Sequence, residues 1–269
     1  MSLMILTGLS EILLPVEDYD CVEAISTVKQ LQEQNIPLIP VINNTRAEVE
    51  AVSQTLGFNS AFVVEQGSGI FIPKNSQDFA IAKSESVEAV DGYNLYQLGC
   101  TYTEARAALK VVQEEISKIL RGFGDLDEEN VQKLMGVSLT AARRAKSREF
   151  SEYFLTPSRL QISKLQSVAQ EYGFQIIPEG KLSLVMGAGA AKGKAVTWLK
   201  ENYRSRNSGK VTTVGLGSTK QDLPLLEAVD IPIIVPTALG IDSSLESHGW
   251  QTASHTGAKG WVKAIAKII

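Results

Sequence analysis

The chain has 269 residues, of which 44% are hydrophobic, and a formal net charge of −4. This length is enough to bury a full core in one large domain or two small ones. The mild acidity gives no general attraction to nucleic acid or anionic membranes, and no apolar run approaches the roughly 18 residues of a membrane helix. The N-terminus also lacks the pattern of a secretory signal. We therefore expect a cytoplasmic protein, with neither nucleic acid nor membrane as a partner.

Cysteine and histidine are too sparse to predict a site of their own. Cys21 and Cys100 lie far apart without a CxxC pair, and we interpret them as buried or incidental thiols. His248 and His255 lie near the end of the chain in a stretch rich in Gly and Ser, as is typical of surface loops. Neither a histidine-rich metal site nor a Cys/His nucleophile pair is expected.

The first part of the chain alternates predicted strands and helices. Leu3 to Thr7 is an apolar strand that breaks at Gly8. Apolar residues at helical spacing predict a helix from Asp20 to Gln34, and Ile36 to Ile42 is a second buried strand. The segment 61–73, AFVVEQGSGIFIP, predicts a hairpin whose glycines permit a tight turn with positive φ.

Helices predominate beyond about residue 84. Thr103 to Gly122 is predicted as a long amphipathic helix, with shorter helices at 127–135, 139–148 and 162–173. Phe174 to Pro178 is predicted as a strand that follows the last of these.

The segment 211–236 is predicted to form a strand, a helix and a second strand. Thr212 to Leu216 is a buried strand, Asp222 is a plausible helix N-cap with Pro224 early in the helix, and Ile231 to Val235 is the next strand. In open parallel sheets, ligands bind beyond the carboxyl ends of the strands. The turn 217–222 is therefore expected to border the binding crevice.

The letters of this turn resemble a known motif. GLGSTKQDLPLLEAVD at 215–230 is similar to GLGDSPNDLPLLEAVD, the fourth motif of the haloacid dehalogenase (HAD) superfamily in the form used by mannosyl-3-phosphoglycerate phosphatases. Segment 61–73 resembles that family's PFIVENGGAIYIP, 148–152 its REYSEP, and KGKA at 192–195 its third motif. The resemblance implies an α/β fold: a HAD-like Rossmannoid core with a parallel sheet at 1–83 and 190–269, and an inserted α/β cap of type C2B at 84–189.

The same alignment puts other residues where the family has its catalytic groups. The nucleophilic Asp falls on Gly8, the acid/base Asp on Ser10 and a metal-binding Asp on Ser218. Phosphoryl transfer to an aspartate needs a carboxylate nucleophile, a second carboxylic acid and a Mg²⁺ held by carboxylates. Active members use Mg²⁺, but Asp222 is the only candidate metal ligand left in this motif, and we expect no cofactor.

Several polar residues remain as candidates for binding phosphate or substrate. Lys192 matches the third-motif lysine, Arg148 is the cap-side candidate for an anion, and Lys181 falls on a family Arg. Asn43 and Asn44 are placed to donate amide hydrogens at a helix start, although an ordinary helix N-cap is an alternative interpretation. A solvated helix face is the alternative for the charged run that ends at Arg148. Without the family's carboxylates, Lys192 is expected to lack an opposing charge.

Three hypotheses follow. The first is a pseudophosphatase that binds a phosphorylated sugar or glycerate metabolite, or a protein partner, through Lys192, Arg148 and Asp222. The second is an active Mg²⁺-dependent phosphatase of phosphorylated sugar or sugar-glycerate esters, with Glu11 or Asp222 as a relocated nucleophile. The third is a structural or assembly role with a vestigial crevice. The sequence identifies neither the ligand, nor the partner, nor the oligomeric state.

Overall fold

The computed structural model describes residues 2–9, 12–13, 22–80, 87–158, 161–203 and 210–269. Ser10, Glu11 and Cys21 lie outside the described residues. In chain order the described elements are β1 (Ser2–Thr7), α1 (Val22–Glu33), β2 (Leu38–Pro40), α2 (Arg46–Leu56), β3 (Phe62–Val64), β4 (Gly69–Pro73), β5 (Val87–Val90), β6 (Tyr93–Gln97), α3 (Tyr102–Ile116), α4 (Glu128–Met135), α5 (Leu139–Lys146), β7 (Ser151–Leu155), α6 (Ile162–Glu171), β8 (Phe174–Glu179), β9 (Leu182–Gly187), α7 (Lys192–Asn202), β10 (Val211–Gly217), α8 (Leu223–Leu226), β11 (Ile231–Ile234), α9 (Ser243–Glu246), β12 (Gln251–Thr252) and α10 (Gly257–Ile265).

A five-stranded parallel sheet in the order β12-β11-β10-β1-β2 forms the centre of the core. Ile5 on one face belongs to the apolar cluster that includes Trp261 of α10, and Leu6 on the other face belongs to the cluster that includes Trp198 of α7. Parallel strands covered on both faces need continuous apolar sequence, which explains the runs in β1 and β10. Thr7 pairs in register with Leu216, so β1 and β10 end at the same edge of the sheet.

Two antiparallel sheets complete the fold. The strands β3-β4-β6-β5 form one, and a parallel bridge between Val41 and Val63 joins it to the segment that follows β2. The strands β7-β9-β8 form the other, which packs against α3 and α6. Strand pairing thus places 87–97 in the same sheet as 62–73. The domain boundaries at 83–84 and 189–190 stay a prediction.

Several predicted elements differ in length from the observed ones. The helix predicted over 103–122 ends at Ile116, because Ser117 adopts a left-handed backbone with φ of 50° and its N–H bonds back to the carbonyls of Gln113 and Glu114. The strand predicted over 36–42 pairs only at Leu38–Pro40, and the helix predicted over 139–148 ends at Lys146. In the described part of the chain, no helix is long and apolar enough to cross a membrane.

Candidate functional site

Gly8 and Asp222 meet at the carboxyl ends of β1 and β10. Gly8 donates its N–H to the carbonyl of Leu216 at 2.8 Å. A Cβ placed on Gly8 would lie 2.8 Å from Asp222 Oδ1 and 3.0 Å from Oδ2. The Asp222 carboxylate therefore occupies the space into which a side chain at position 8 would project.

Lys192 holds this carboxylate in a buried ion pair. Its Nζ lies 2.9 Å from Asp222 Oδ1, and the two side chains are 1% and 5% exposed. Asp222 Oδ2 accepts the N–H groups of Ser218 at 2.9 Å and Thr219 at 3.4 Å. The expectation that Lys192 lacks an opposing charge is wrong. Asp222 does precede α8, as predicted, but its side chain does not cap that helix and instead pairs with Lys192.

The described side chains at this edge do not fit the Mg²⁺ used by active members. Mg²⁺ demands near-octahedral oxygen ligands and is usually bound through one or two carboxylates. Asp222 is the carboxylate that remains of the motif and is already paired with Lys192, while Gly8 has no side chain and Ser218 offers only a hydroxyl. Among the residues that the structure describes, no group of three or more His, Cys, Asp or Glu side chains is placed to hold a metal ion.

Two buried polar atoms near this edge have no hydrogen-bond partner in the part of the chain that the structure describes. Ser218 is fully buried and Asn43 is 8% exposed, and within the described chain neither Ser218 Oγ nor Asn43 Oδ1 is hydrogen-bonded. They follow strands that lie on either side of β1 in the sheet. An unpaired buried polar group costs about 1–3 kcal/mol, so both oxygens are places where a bound group would contribute stability.

Asn44 is engaged in the start of α2. Its Nδ2 donates to Glu48 Oε1 at 2.8 Å. Thr45 is the N-cap, and its side chain and Glu48 form a reciprocal capping box. The predicted helix start lies here, but its N-cap is Thr45, so the alternative interpretation of the asparagines as the N-cap is wrong.

Arg148 lies between core and cap, and protein groups surround it. Its guanidinium donates to Ser151 Oγ at 2.8 Å and to the carbonyl of Asn43 at 3.2 Å, and it lies 3.4 Å from Glu65 Oε2. It also stacks 4.5 Å from the centre of the Tyr153 ring. Burial opposes the charged form, but Glu65 and other nearby acidic groups outweigh it and raise the pKa of Arg148. A direct contact between Arg148 and a ligand stays a prediction.

The turn after β3 connects the core to the cap. Glu65 is fully buried, and its carboxylate accepts the N–H groups of Glu149 at 2.7 Å and Phe150 at 3.1 Å. A Cβ on Gly67, where φ is 90°, would lie 2.3 Å from the Ala191 backbone, so only glycine fits this approach. The glycines predicted the turn. The role of Glu65 was missed, although a lone acidic residue in an otherwise apolar hairpin was a usable signal.

The tip of the hairpin between β8 and β9 also reaches the core. Glu179, which the sequence analysis did not single out, accepts from Gln66 Nε2 at 3.2 Å and from the Tyr153 hydroxyl at 2.7 Å. Burial and this carboxylate raise the pKa of Tyr153 well above its ordinary value. Lys181 lies two residues further on and is exposed, outside these partly buried contacts.

The cysteine and histidines in the described residues carry no sign of reactivity. Cys100 donates to the carbonyl of Phe150 at 3.4 Å, and burial raises the pKa of its thiol to about 11. A thiol of this kind is protonated at neutral pH and a poor nucleophile. His248 and His255 are exposed, as predicted for surface residues.

The chain is similar to curated proteins over almost its whole length, although no protein-family model matches it. It is 32% identical over 267 residues to a glucosyl-3-phosphoglycerate/mannosyl-3-phosphoglycerate phosphatase of Persephonella marina, covering 99% of this chain and 97% of that protein. A protein of the same name from Methanococcoides burtonii is 34% identical over 268 residues, with coverage of 99% and 97%.

Solved structures share the fold. A haloacid dehalogenase-like hydrolase from B. subtilis superposes with a TM-score of 0.66 at 13% identity, over 99% of both chains. The predicted HAD-like α/β architecture is thereby confirmed. Together with the two curated relatives, this places the chain in the family of glucosyl-3-phosphoglycerate/mannosyl-3-phosphoglycerate phosphatases.

Proposed function

We propose that this chain is a non-hydrolysing member of its family that binds a sugar- or glycerate-bearing small molecule in the crevice beside Gly8. The names of the relatives describe phosphatases of glucosyl- and mannosyl-3-phosphoglycerate. The observation that carries the proposal is that the Asp222 carboxylate occupies the space where a side chain at position 8 would lie. Hydrolysis through an aspartyl intermediate needs a carboxylate side chain at that point.

The charges at the crevice support the loss of hydrolysis. Lys192 is paired with Asp222, so its charge is already matched inside the protein. The described donor set does not suit Mg²⁺, which would otherwise offset the charge that develops in phosphoryl transfer. Ser10, at the acid/base position of the family alignment, is a poor proton donor near neutral pH.

A phosphatase with a relocated nucleophile is the second candidate, and one observation favours it. Asp222 Oδ1 lies within 2.8 Å of the Cβ position of residue 8, close to where a nucleophilic carboxylate would be. Against this, two backbone N–H groups and Lys192 stabilise the Asp222 carboxylate, and the residue is 3% exposed. These bonds lower the nucleophilicity of the Asp222 carboxylate. The burial of the residue keeps an ester from reaching it. Glu11, the other candidate, lies outside the described residues.

That the ligand is phosphorylated, and that a protein partner binds instead, both stay predictions from the sequence. Glu65, Arg148 and Glu179 nevertheless make buried or partly buried polar contacts between cap and core. A purely structural role would not require the buried oxygens of Ser218 and Asn43, which have no hydrogen-bond partner among the described residues. Their presence favours a binding site over a vestigial one.

Phosphate release is the test. The wild-type protein is incubated with glucosyl-3-phosphoglycerate and Mg²⁺, with the Persephonella marina relative as positive control. We expect no release above background. Turnover that EDTA and Asp222→Asn both abolish would overturn the proposal and establish Asp222 as the nucleophile. If turnover is absent and no sugar or glycerate compound raises the melting temperature, the assembly role becomes the better account.

A further inference from the structure

We propose that the cap carries a second ligand site, which binds free phosphate or the phosphate group of a small molecule. A cavity of about 240 Å³ lies between α3 and the loop that follows this helix, and its lining residues all lie between positions 106 and 125. The site shares no residue with the Lys192–Asp222 edge, so the inference does not depend on the proposed function. It rests on the charges and the hydrogen-bond donors that line the cavity.

The sequence of α3 builds one wall of the cavity and the chain that follows builds the other. Three polar side chains, spaced four and three residues apart on one face of the helix, line the cavity: Arg106, Lys110 and Gln113. The chain turns back after α3, because Ser117 ends the helix with a φ of 50°. Leu120 is then buried in the apolar cluster of α3 and α6, and the carbonyl of Arg121 accepts the N–H of Leu155 at 3.0 Å. Both walls are therefore fixed by packing and backbone bonds.

Two carboxylates hold the Arg106 guanidinium in place. Its Nη1 donates to Glu152 Oε1 at 2.8 Å and to Asp125 Oδ2 at 3.1 Å, and its Nη2 donates to Asp125 Oδ1. Glu152 is fully buried, and the hydrogen bond from Arg106 lowers the pKa of Asp125, so that carboxylate is ionised at neutral pH. These bonds use three of the five N–H groups of the guanidinium. Two N–H groups of an immobilised arginine remain for a ligand.

The other donors that line the cavity are free. Lys110 and Arg121 are exposed, and neither side chain makes a hydrogen bond or an ion pair within the described part of the chain. Gln113 Oε1 accepts the N–H of Leu120 at 3.0 Å, which leaves the Nε2 hydrogens of this amide for a ligand. Phosphate oxygens accept hydrogen bonds from all of these groups, and an arginine fork beside a lysine is well suited to phosphate.

Positive charge is in excess at the cavity, although the whole chain has a net charge of −4. Three cations line it, Arg106, Lys110 and Arg121. Two carboxylates oppose them, Asp125 and Glu152, and both are paired with Arg106. The charges of Lys110 and Arg121 therefore exceed what the protein itself compensates. An anion that enters the cavity neutralises this excess, whereas an uncharged ligand does not.

Titration with inorganic phosphate, followed through the amide resonances of isotope-labelled protein, tests the site. The N–H groups of Gly122 and Gly124 are the reporters, because they donate to Asp125 and Glu152, the two partners of Arg106. At low ionic strength we expect both resonances to shift with one common Kd of about 1 mM or tighter, and this Kd to rise as NaCl is added. No shift of either reporter at about 10 mM phosphate would overturn the inference.

A double variant locates the binding. Lys110→Ala combined with Arg121→Ala removes two exposed side chains that make no bonds within the described chain, so the fold should be retained. Its phosphate affinity should fall at least about tenfold. The matched control is Lys29→Ala combined with Lys263→Ala, which removes two exposed lysines from α1 and α10 and should bind like wild type. An unchanged Kd in the Lys110/Arg121 variant would contradict the assignment.

Glycerol 3-phosphate and glycerol, titrated in the same way, identify the source of the phosphate group. Tighter binding of glycerol 3-phosphate than of inorganic phosphate would assign the site to a small phosphorylated molecule, and the reverse order would assign it to free phosphate. Glycerol should shift neither reporter, because it brings no negative charge. Glycerol that binds as tightly as its phosphate ester would overturn the inference that the site selects an anion.

Discussion

Lys192→Met is expected to destabilise the folded protein by about 3–5 kcal/mol, because it leaves the Asp222 carboxylate buried without its partner. Asp222 is 5% exposed in its side chain, so water cannot replace the lysine. The N–H groups of Ser218 and Thr219 still contact the carboxylate, which favours the lower end of that range. In the double variant Lys192→Met with Asp222→Asn neither charge of this pair remains. Its cost should fall below the sum of the single costs by about 2–3 kcal/mol.

Urea unfolding followed by tryptophan fluorescence measures the free energies of unfolding of Lys192→Met, Asp222→Asn and the double variant against wild type, provided that the m-value is unchanged. The control is the pair of Lys200 and Asp230, which are 3.5 Å apart with side chains 27% and 33% exposed. Lys200→Met should cost no more than about 1 kcal/mol. If the two substitutions at Lys192 and Asp222 add within about 0.5 kcal/mol, the reasoning that the pair is an energetic unit is refuted.

Three further outcomes are expected. Glu65→Gln leaves Arg148 buried without its ionic partner and should lower the free energy of unfolding in urea by about 3–5 kcal/mol. A loss below about 1 kcal/mol would contradict the importance of the contacts of Glu65 with Arg148, Glu149 and Phe150. Gly67→Ala forces a Cβ to within 2.3 Å of the Ala191 backbone and should be strongly destabilising. The control is Gly136→Ala, at a position that also has positive φ but no atom within 4 Å of the added Cβ, and it should cost about 1 kcal/mol. The hydrogen bond from Thr213 lowers the pKa of Asp230 in the folded protein. The ionised Asp230 carboxylate therefore stabilises the fold fully above pH about 4, and this stabilisation is lost as the pH falls through the lowered folded pKa. The difference in unfolding free energy between wild type and Asp230→Asn should shrink on acidification, and a constant difference would contradict this prediction.

Much of the fold followed from local pattern. The apolar runs at β1 and β10, the proline early in α8 and the glycine at position 67 each fix a local conformation, and the structure has a strand, a helix and a turn at those places. Helix lengths were less predictable. Ser117 ends α3 through a left-handed backbone that serine adopts only rarely, so no residue preference announces it.

The site was less accessible to sequence reasoning, because its contacts join distant segments. Lys192 and Asp222 are 30 residues apart and meet only because α7 and the turn after β10 share one edge of the sheet. The resemblance to the family motifs predicted which carboxylates are absent. It did not show that the missing side chain at position 8 leaves room for Asp222 to occupy that space and neutralise Lys192. The contacts of Glu65 and Glu179 between core and cap are likewise tertiary and leave no local pattern.

A crystal structure grown in millimolar Mg²⁺ tests most directly the claim that the Lys192–Asp222 pair has replaced the family's nucleophile and metal arrangement. We expect Lys192 Nζ to remain in hydrogen-bonding contact with Asp222 Oδ1, near the observed 2.9 Å, and no metal ion to bind the carboxylate. An octahedral ion about 2.1 Å from Asp222 oxygens, with Lys192 displaced, would contradict the claim.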